Sequence, residues 1–229
     1  MGGITSVTFF HFKKNHFWAF KQMGIAPFLL KEVAGLSFYK FLGTGGGAGF
    51  SLWPDFSTYA FLGVWETESD FISFSKNHAV FKTYRTKANH IRTLKLRAIH
   101  SHGKWSGVNP FIQQAKVKVP PEGEKAVVIT RATLNWNRLI SFWKAVPKAS
   151  RAIASAKGIY YYKGIGEWPF IQQATVSIWD SFDAVQKFAY QSHAHAQVVK
   201  ETRKKKWYKE DLFSRFVLLS DSDKILKNE

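Results

Sequence analysis

Two closely spaced histidines, His193 and His195, lie in a segment that is predicted to be a helix beginning near Ser181. Imidazole nitrogens are common metal ligands, so both are candidates for a metal site. At 3.6 residues per turn their side chains point about 200° apart, so they cannot face one pocket. His195 shares an apolar stripe with Phe188 and Val199 and is the better candidate for a buried ligand. The alternative is that both are ordinary helix histidines.

Cations within predicted strands are the second kind of candidate. Arg131 lies in the run Val-Ile-Thr-Arg-Ala-Thr, and Lys40 and Lys163 lie at matching points of two further strands. A cation on the core side of a sheet is costly unless an anion pairs with it, so a core-side Arg131 would mark a site. Charged side chains mostly face water, so the outward direction is the ordinary expectation for all three residues.

Several common catalytic motifs are absent from the sequence. It has no Walker motif, no His-Glu-x-x-His and no Ser-His-Asp order. Its 16 acidic residues disfavour hydrolases that work with two carboxylates. The glycine-rich loop at residues 43–49 lacks the Lys-Ser/Thr of a phosphate-binding loop and is predicted to be a lid. The absence of cysteine excludes disulfides, Cys-zinc sites and thiolate-ligated haem.

The charge balance indicates an anionic partner. The chain carries 33 Lys+Arg against 16 Asp+Glu, a formal net charge of +17. The basic run 203–206, followed by Trp207 and Tyr208, suits a membrane surface, where cations meet headgroups and aromatic rings lie at the interface. We expect an anionic membrane or an acidic protein first, and the solvated polar end of a long helix second. Nucleic acid comes third, because no recognition motif is present. Without a long apolar run, the expected location is the cytoplasm, peripheral at the inner membrane.

The elements that must position these residues occur twice. Residues 35–43 and 158–166 both begin and end with glycine and share a Tyr-Lys pair. A Trp-Pro pair follows in each half, and then a strand that ends in tryptophan, Trp65 or Trp179. Each half therefore shows the order β-α-β-β-α, at a period of about 115–120 residues. The predicted helices cover residues 17–31, 69–88, 138–156 and the segment from Ser181.

This element order is that of a ferredoxin-like unit, β-α-β-β-α-β. The predicted fold class is α+β, with two duplicated ferredoxin-like halves of the dimeric α+β barrel type packed sheet to sheet in one chain, and helices outside. Residues 1–115 would form the first half and residues 125–229 the second. The stretch 116–124, with two prolines and several charges, would be the linker.

A string of short motifs runs through nearly the whole chain. The motifs are Phe12 with Trp18-Ala-Phe-Lys-Gln-Met-Gly24, the glycine-rich loop before Trp53-Pro54, Trp105-Ser-Gly107, Thr130-Arg-Ala-Thr133, Phe142-Trp143, Lys163-Gly-Ile-Gly-Glu167 and Arg203-x-x-x-Trp207-Tyr208-x-Glu210-x-Leu212-x-x-Arg215-Phe216. Together and in this order they resemble the spheroidene monooxygenase family. In that family's pattern a histidine stands eight residues before the first arginine of the last motif, and here that residue is His195.

The resemblance implies an oxidoreductase of carotenoid biosynthesis that uses O2 to oxidise acyclic carotenoids at C-2, giving hydroxy and then keto products. It also implies haem b and a ferredoxin-type electron donor. Without cysteine, histidine is the natural iron ligand, so His195 is expected to bind iron between the second-half sheet and the helix from Ser181. Arg131 and Lys163 are expected to pair with the haem propionates, and Arg131 is also the catalytic candidate.

Two other interpretations use the same residues. One is a different haem enzyme, or a cofactor-free oxygenase, on the same fold. The other is a protein that binds carotenoid or lipid without catalysis. A Soret band and carotenoid turnover with O2 uptake separate these interpretations.

Overall fold

The structure is a computed structural model that describes residues 2–47, 51, 53–115, 122–191, 202 and 204–226. In chain order its elements are β1 (Ile4–His11), α1 (His16–Ile25), β2 (Leu36–Gly45), β3 (Pro54–Trp65), α2 (Glu68–Asn77), α3 (Ala79–Lys87), β4 (His90–Gly103), β5 (Ala126–Leu134), α4 (Leu139–Ala154), β6 (Ile159–Gly166), β7 (Gln172–Trp179), α5 (Phe182–Gln191) and β8 (Tyr208–Ile225). Short 3-10 helices follow α1 at Ala26–Leu30 and precede α4 at Trp136–Arg138. In these described ranges no helix is long and apolar enough to span a bilayer.

The strands form one closed barrel in the order β1-β3-β2-β6-β7-β5-β8-β4, and every neighbouring pair is antiparallel. A long seam between β4 and β8 runs from the pair His90–Ile225 to the pair Gly103–Leu212. The seam between β2 and β6 is short and pairs residues 43 and 44 with residues 166 and 165. Closure matters because an open sheet edge would leave unpaired backbone groups.

The two halves contribute four strands each, in the same relative order. The first half runs β4-β1-β3-β2 and the second runs β8-β5-β7-β6. The register also agrees, because Ile4 pairs with Trp65 in one half and Ala126 pairs with Trp179 in the other. The α+β class is therefore confirmed. The expected sheet-to-sheet packing takes the form of one barrel whose two sheets are joined edge to edge.

Alternation along the strands separates an interior face from an outer face. Interior residues from all eight strands build one buried apolar cluster, with Val7, Leu62, Ile129 and Val176 among them. The outer faces pack against the helices in further clusters. Strand β1 is almost wholly buried because it is covered on both faces.

Several predicted elements need correction. The single helix expected over residues 69–88 is two helices, because His78 has extended backbone angles and its side chain caps α3. A reciprocal pair of hydrogen bonds between Thr67 and Asp70 starts α2. Helix α1 ends at Ile25, since Pro27 lies within a 3-10 helix.

The predicted linker falls between β4 and β5, and residues 116–121 of it lie outside the described residues. The division into residues 1–115 and 125–229 stays a prediction. The segment before the linker contributes to the barrel interior, because Phe111 is fully buried and lies 5.0 Å from the ring of Phe216.

Candidate active site

Arg131 lies on the interior face of β5, in line with the buried residues Val127 and Ile129. Its side chain is only 2% exposed, and its guanidinium contacts the carboxylates of Glu210 and, at 3.6 Å, Glu167. A buried cation needs such partners because desolvation costs several kcal/mol per ion. The expectation that Arg131 faces outward is therefore wrong, and the structure has the alternative arrangement, a core-side arginine paired with anions.

Lys40 joins the same group from β2. Its ammonium lies 2.6 Å from Glu167 and 2.9 Å from the hydroxyl of Ser106. Glu167 also accepts a 2.6 Å hydrogen bond from the indole N–H of Trp105. Two cations and two carboxylates thus balance one another inside one end of the barrel. We name this group the charge cluster: Lys40, Arg131, Glu167 and Glu210.

A tight turn at residues 105–108 aims two backbone N–H groups at Glu210. Ser106 and Gly107 donate to its carboxylate at 3.0 and 2.7 Å. Both have left-handed backbone angles, φ 55° and φ 84°, which glycine adopts freely and serine at a cost of about 1–2 kcal/mol. Burial alone would raise the pKa of Glu210, but the two N–H donors and Arg131 together hold that pKa below its ordinary value of 4.5.

Glu210 is therefore expected to make folding stability depend on pH. A carboxyl with a lowered folded-state pKa stabilises the fold above its unfolded pKa, and the fold loses that contribution as the pH falls through the folded-state pKa. We expect Glu210→Gln to lower the free energy of unfolding at neutral pH, and the gap to wild type to shrink below about pH 4. Urea unfolding over this pH range measures the gap, with Glu32→Gln at an exposed position as the control. A gap that does not change with pH would contradict the prediction.

Lys163 lies towards the other end of the barrel, on the interior face of β6. Its ammonium donates to the carbonyl of Gly47 at 2.9 Å and lies 3.6 Å from the carboxylate of Asp55. These contacts tie the described part of the glycine-rich loop to the barrel mouth, beside a cavity of about 640 Å³. Residues 48–50 and 52 lie outside the described residues, so the lid stays a prediction.

Lys40 and Lys163 occupy the same register in their halves. Lys40 pairs with Leu62 and Lys163 pairs with Val176, each three residues before the tryptophan that ends the strand. Both side chains point into the barrel, so the outward expectation is wrong for them as well. Their carboxylate partners come from strands and loops that are remote in sequence, which is why the pairing is not visible in the motif itself.

The first half covers its outer sheet face with aromatic rings. Phe10 and Phe61 lie 5.3 and 5.1 Å from Phe81 of α3, and Phe41 lies 5.1 Å from Phe61. These rings fill the space between the strands and helices α2 and α3.

The corresponding positions of the second half carry the small side chains of Ala132, Gly164 and Thr175. The correspondence follows from the strand register, because Gly164 pairs with Thr175 as Phe41 pairs with Phe61. Ala132 follows Ala126, the partner of Trp179, by the same number of residues as Phe10 follows Ile4, the partner of Trp65. None of these three positions in the second half carries an aromatic ring, and Ala132 lies in one buried cluster with Phe142, Trp143 and Trp207.

Two polar atoms on this outer face are buried without a hydrogen-bond partner among the described residues, the hydroxyl of Thr175 and Nε of Arg215. Leaving such a group unpaired costs about 1–3 kcal/mol, so a bound ligand is a natural explanation for both. Arg215 also adds to burial in lowering the pKa of His100. The charge of Arg215 would suit an anionic group of a ligand that binds at this face.

The structure describes α5 only as far as Gln191, so His193 and His195 lie outside the described residues. Their assignment as non-ligand and ligand stays a prediction. Within the described ranges no group of three or more His, Asp or Glu side chains could hold a metal ion.

The repeat nevertheless relates His195 to a residue of known position. Nine residues after the tryptophan that ends each strand, Phe74 packs on that tryptophan at 4.9 Å in the first half and Phe188 does so at 5.1 Å in the second. Sixteen residues after the same tryptophan stand Phe81 in the first half and His195 in the second. Phe81 lies against Phe10, one of the rings that the second half lacks.

Glu167, Glu210, Thr175 and Arg215 are site residues to which the sequence alone assigns no role. Glu167, Glu210 and Arg215 lie inside the short motifs that carry the family resemblance, and that is the signal that could have singled them out. Thr175 gives no such signal, because its significance depends on comparison with Phe61 in the other half.

No family model matches the chain. It is 33% identical to the spheroidene monooxygenase of Rhodobacter capsulatus, over 88% of this chain and 83% of that protein. It is 29% identical to the spheroidene monooxygenase of Cereibacter sphaeroides, over 94% of this chain and 67% of that protein. Among solved structures, an aldoxime dehydratase in complex with butyraldoxime matches 97% of this chain and 82% of its own with a TM-score of 0.60. At 10% identity that likeness shows the fold alone.

Proposed function

Because this chain belongs to the spheroidene monooxygenase family, we propose that it hydroxylates an acyclic, spheroidene-like carotenoid at C-2 and carries the product on to the ketone. Each hydroxylation inserts one atom of O2 into a C–H bond, and two electrons and two protons reduce the other atom to water. A second hydroxylation at the same carbon gives a gem-diol, which loses water to leave the ketone. The reaction is a step of carotenoid biosynthesis.

The observation that carries the cofactor proposal is the outer face of β5 to β8. Its small residues and its two unpartnered polar atoms suit haem b lying between this face and the helix from Ser181. In this proposal His195 would bind the iron, and an acceptor for its other ring N–H would fix the ring. When bound, the haem supplies the activation of O2, and the protein supplies orientation and electrostatics.

The direction in which each strand cation points decides whether it can contact a haem on the outer face. Arg131 and Lys163 were expected to pair with its propionates, but both point into the barrel, away from the outer face, and both have carboxylate partners there. Arg215 lies on the outer face and is the better candidate for a propionate partner. Arg131 holds Glu167 and Glu210 in place, and a catalytic role for it stays a prediction.

We also infer that the chain is a duplication of one ferredoxin-like unit. The shared strand order and shared register support this inference. The two units would be residues 1–115 and 125–229, with residues 116–124 as the linker.

The proposed partners follow from the reaction and from the charge. The reaction needs a reductant, for which we propose a ferredoxin-type donor, and the carotenoid is dissolved in a membrane. A net charge of +17 suits both an acidic electron carrier and an anionic bilayer at the inner membrane. Nucleic acid is not among the proposed partners.

The test is turnover of an acyclic carotenoid by the full chain loaded with haem, under O2, with a ferredoxin and its reductase as electron source. We expect products heavier by one oxygen atom and then ketone products, identified by mass spectrometry. Equal turnover without haem would favour a cofactor-free oxygenase. Pigment binding without O2 uptake would favour a carotenoid or lipid carrier.

A further inference from the structure

Helix α1 presents apolar side chains on both its inner and its outer face. Ala19 is buried in the first-half core, whereas Phe17 is 80% exposed and Phe20 and Ile25 are exposed as well. A surface helix ordinarily turns a polar face outward, and a helix that is apolar all round is normally covered. The outward face of α1 therefore fits a covering surface that is itself apolar.

Two further aromatic residues extend this face. Phe56, at the start of β3, is exposed and lies 6.1 Å from the ring of Phe20. Trp53, just before β3, is 78% exposed. All lie at the end of the barrel where β1 stops and β3 begins. We name this group the aromatic rim: Phe17, Phe20, Trp53 and Phe56.

Lysines surround the aromatic rim. Lys13, Lys14 and Lys21 are exposed, and in the described part of the chain no carboxylate lies within 4 Å of their ammonium groups. Lys87 is near the same end, with its ammonium 5.3 Å from the ring centre of Trp18. Exposed aromatic rings bordered by unpaired lysines are the composition of a surface that lies in the interface of an anionic bilayer.

We propose that the aromatic rim and its lysines dock this protein onto an anionic lipid bilayer. The rings would enter the boundary between headgroups and acyl chains, while the lysines would meet the anionic headgroups. A second copy of the chain is the poorer occupant, because symmetric contact would bring these lysines against one another. This proposal rests on the proposed function in one respect: an enzyme whose substrate is dissolved in a membrane has to reach that membrane.

The aromatic rim is a different surface from the basic run at residues 203–206, which the sequence favours for membrane binding. Because all strands are antiparallel to their neighbours, β1 and β5 point in opposite directions along the barrel. The aromatic rim lies at the end of β1, and Lys206 lies at the end of β5, where its carbonyl accepts a hydrogen bond from Asn135. A flat bilayer that contacts one end of the barrel does not contact the other. Removing lysines beside the aromatic rim is therefore expected to weaken membrane binding, and removing lysines at the other end is not.

Vesicle flotation of the full chain compares the two ends directly, with vesicles of phosphatidylcholine containing phosphatidylserine. We expect the triple change of Lys13, Lys14 and Lys21 to Gln to weaken binding about 100-fold at low salt, since each charge contributes about fivefold. The matched control changes Lys204, Lys205 and Lys206 to Gln, which removes the same charge, and is expected to retain most of the binding. Equal losses in the two variants, or a larger loss in the control, would overturn the proposal.

Insertion of the rim is tested separately with a fluorescent probe. Since the chain has no cysteine, Phe17→Cys and Trp136→Cys each carry one NBD dye, the second at an aromatic that is 72% exposed at the other end of the barrel. We expect a blue shift on adding anionic vesicles only for the dye at residue 17. A shift only at residue 136, at both residues or at neither would overturn the proposal. Carotenoid turnover in detergent stays normal in the lysine variants if only docking is affected, so failure of docking and failure of the proposed function are distinguishable.

Discussion

The His195→Ala variant is expected to lose the Soret band of the haem-loaded protein and to lose carotenoid oxidation by several orders of magnitude. The reason is that no thiolate is available to the iron, and that His195 follows its strand-ending tryptophan by the same sixteen residues as Phe81, which packs on Phe10 in the first half. His193→Ala is the matched control, two residues away and about 200° around the predicted helix, and it should keep a haem content near that of wild type. A reversed pair of results would show that the predicted facing of these two histidines is wrong.

A larger side chain at the proposed haem site gives an independent test that haem binds to this outer face. Thr175→Phe restores the ring that Phe61 supplies in the first half and is expected to block haem binding. Thr175→Val removes the unpartnered hydroxyl while keeping the volume, and is expected to bind haem. Circular dichroism and thermal unfolding show whether each variant is folded. A folded Thr175→Phe protein with normal haem affinity would exclude this face as the site.

Replacing Arg131 by methionine is expected to destabilise the fold by about 3–5 kcal/mol, because a buried ion pair loses one partner. The change leaves Glu210 without its buried cation, and Glu167 keeps only Lys40. Since domains are stable by only about 5–15 kcal/mol, this is a large share of the total. Urea unfolding at neutral pH measures the loss. Adding Glu210→Gln to Arg131→Met removes the carboxylate that lost its cation and is expected to recover part of the stability. An Arg131→Met protein as stable as wild type would show that the charge cluster contributes no net stability.

The duplicated pattern of glycines, tryptophans and Tyr-Lys pairs is local in sequence, and the strands predicted from it are close to those observed. The strand expected at residues 158–166 is Ile159–Gly166, and the strand expected to end at Trp179 is Gln172–Trp179. The predicted order β-α-β-β-α assigns no residues to the closing strands β4 and β8. In β4 the alternation of Leu94, Leu96 and Ala98 is interrupted by an irregularity in the pairing with β8.

The charge cluster shows what sequence alone cannot supply. Arg131 and Glu210 are 79 residues apart, and Lys40 and Glu167 are 127 residues apart. Only closure of the barrel brings them together, so Arg131 could be recognised as unusual, but the partners that make its burial tolerable could not. The inward facing of Lys163 has the same cause, because its partner Asp55 belongs to the other half.

The most direct test of a haem-dependent oxygenase is titration of the purified full chain with haemin, followed by absorption and by carotenoid turnover in the same samples. We expect a Soret band that saturates at one haem per chain and a rate of carotenoid oxidation that rises in proportion to haem occupancy. A chain that takes up no haem, or that oxidises carotenoid equally well at zero occupancy, would contradict it.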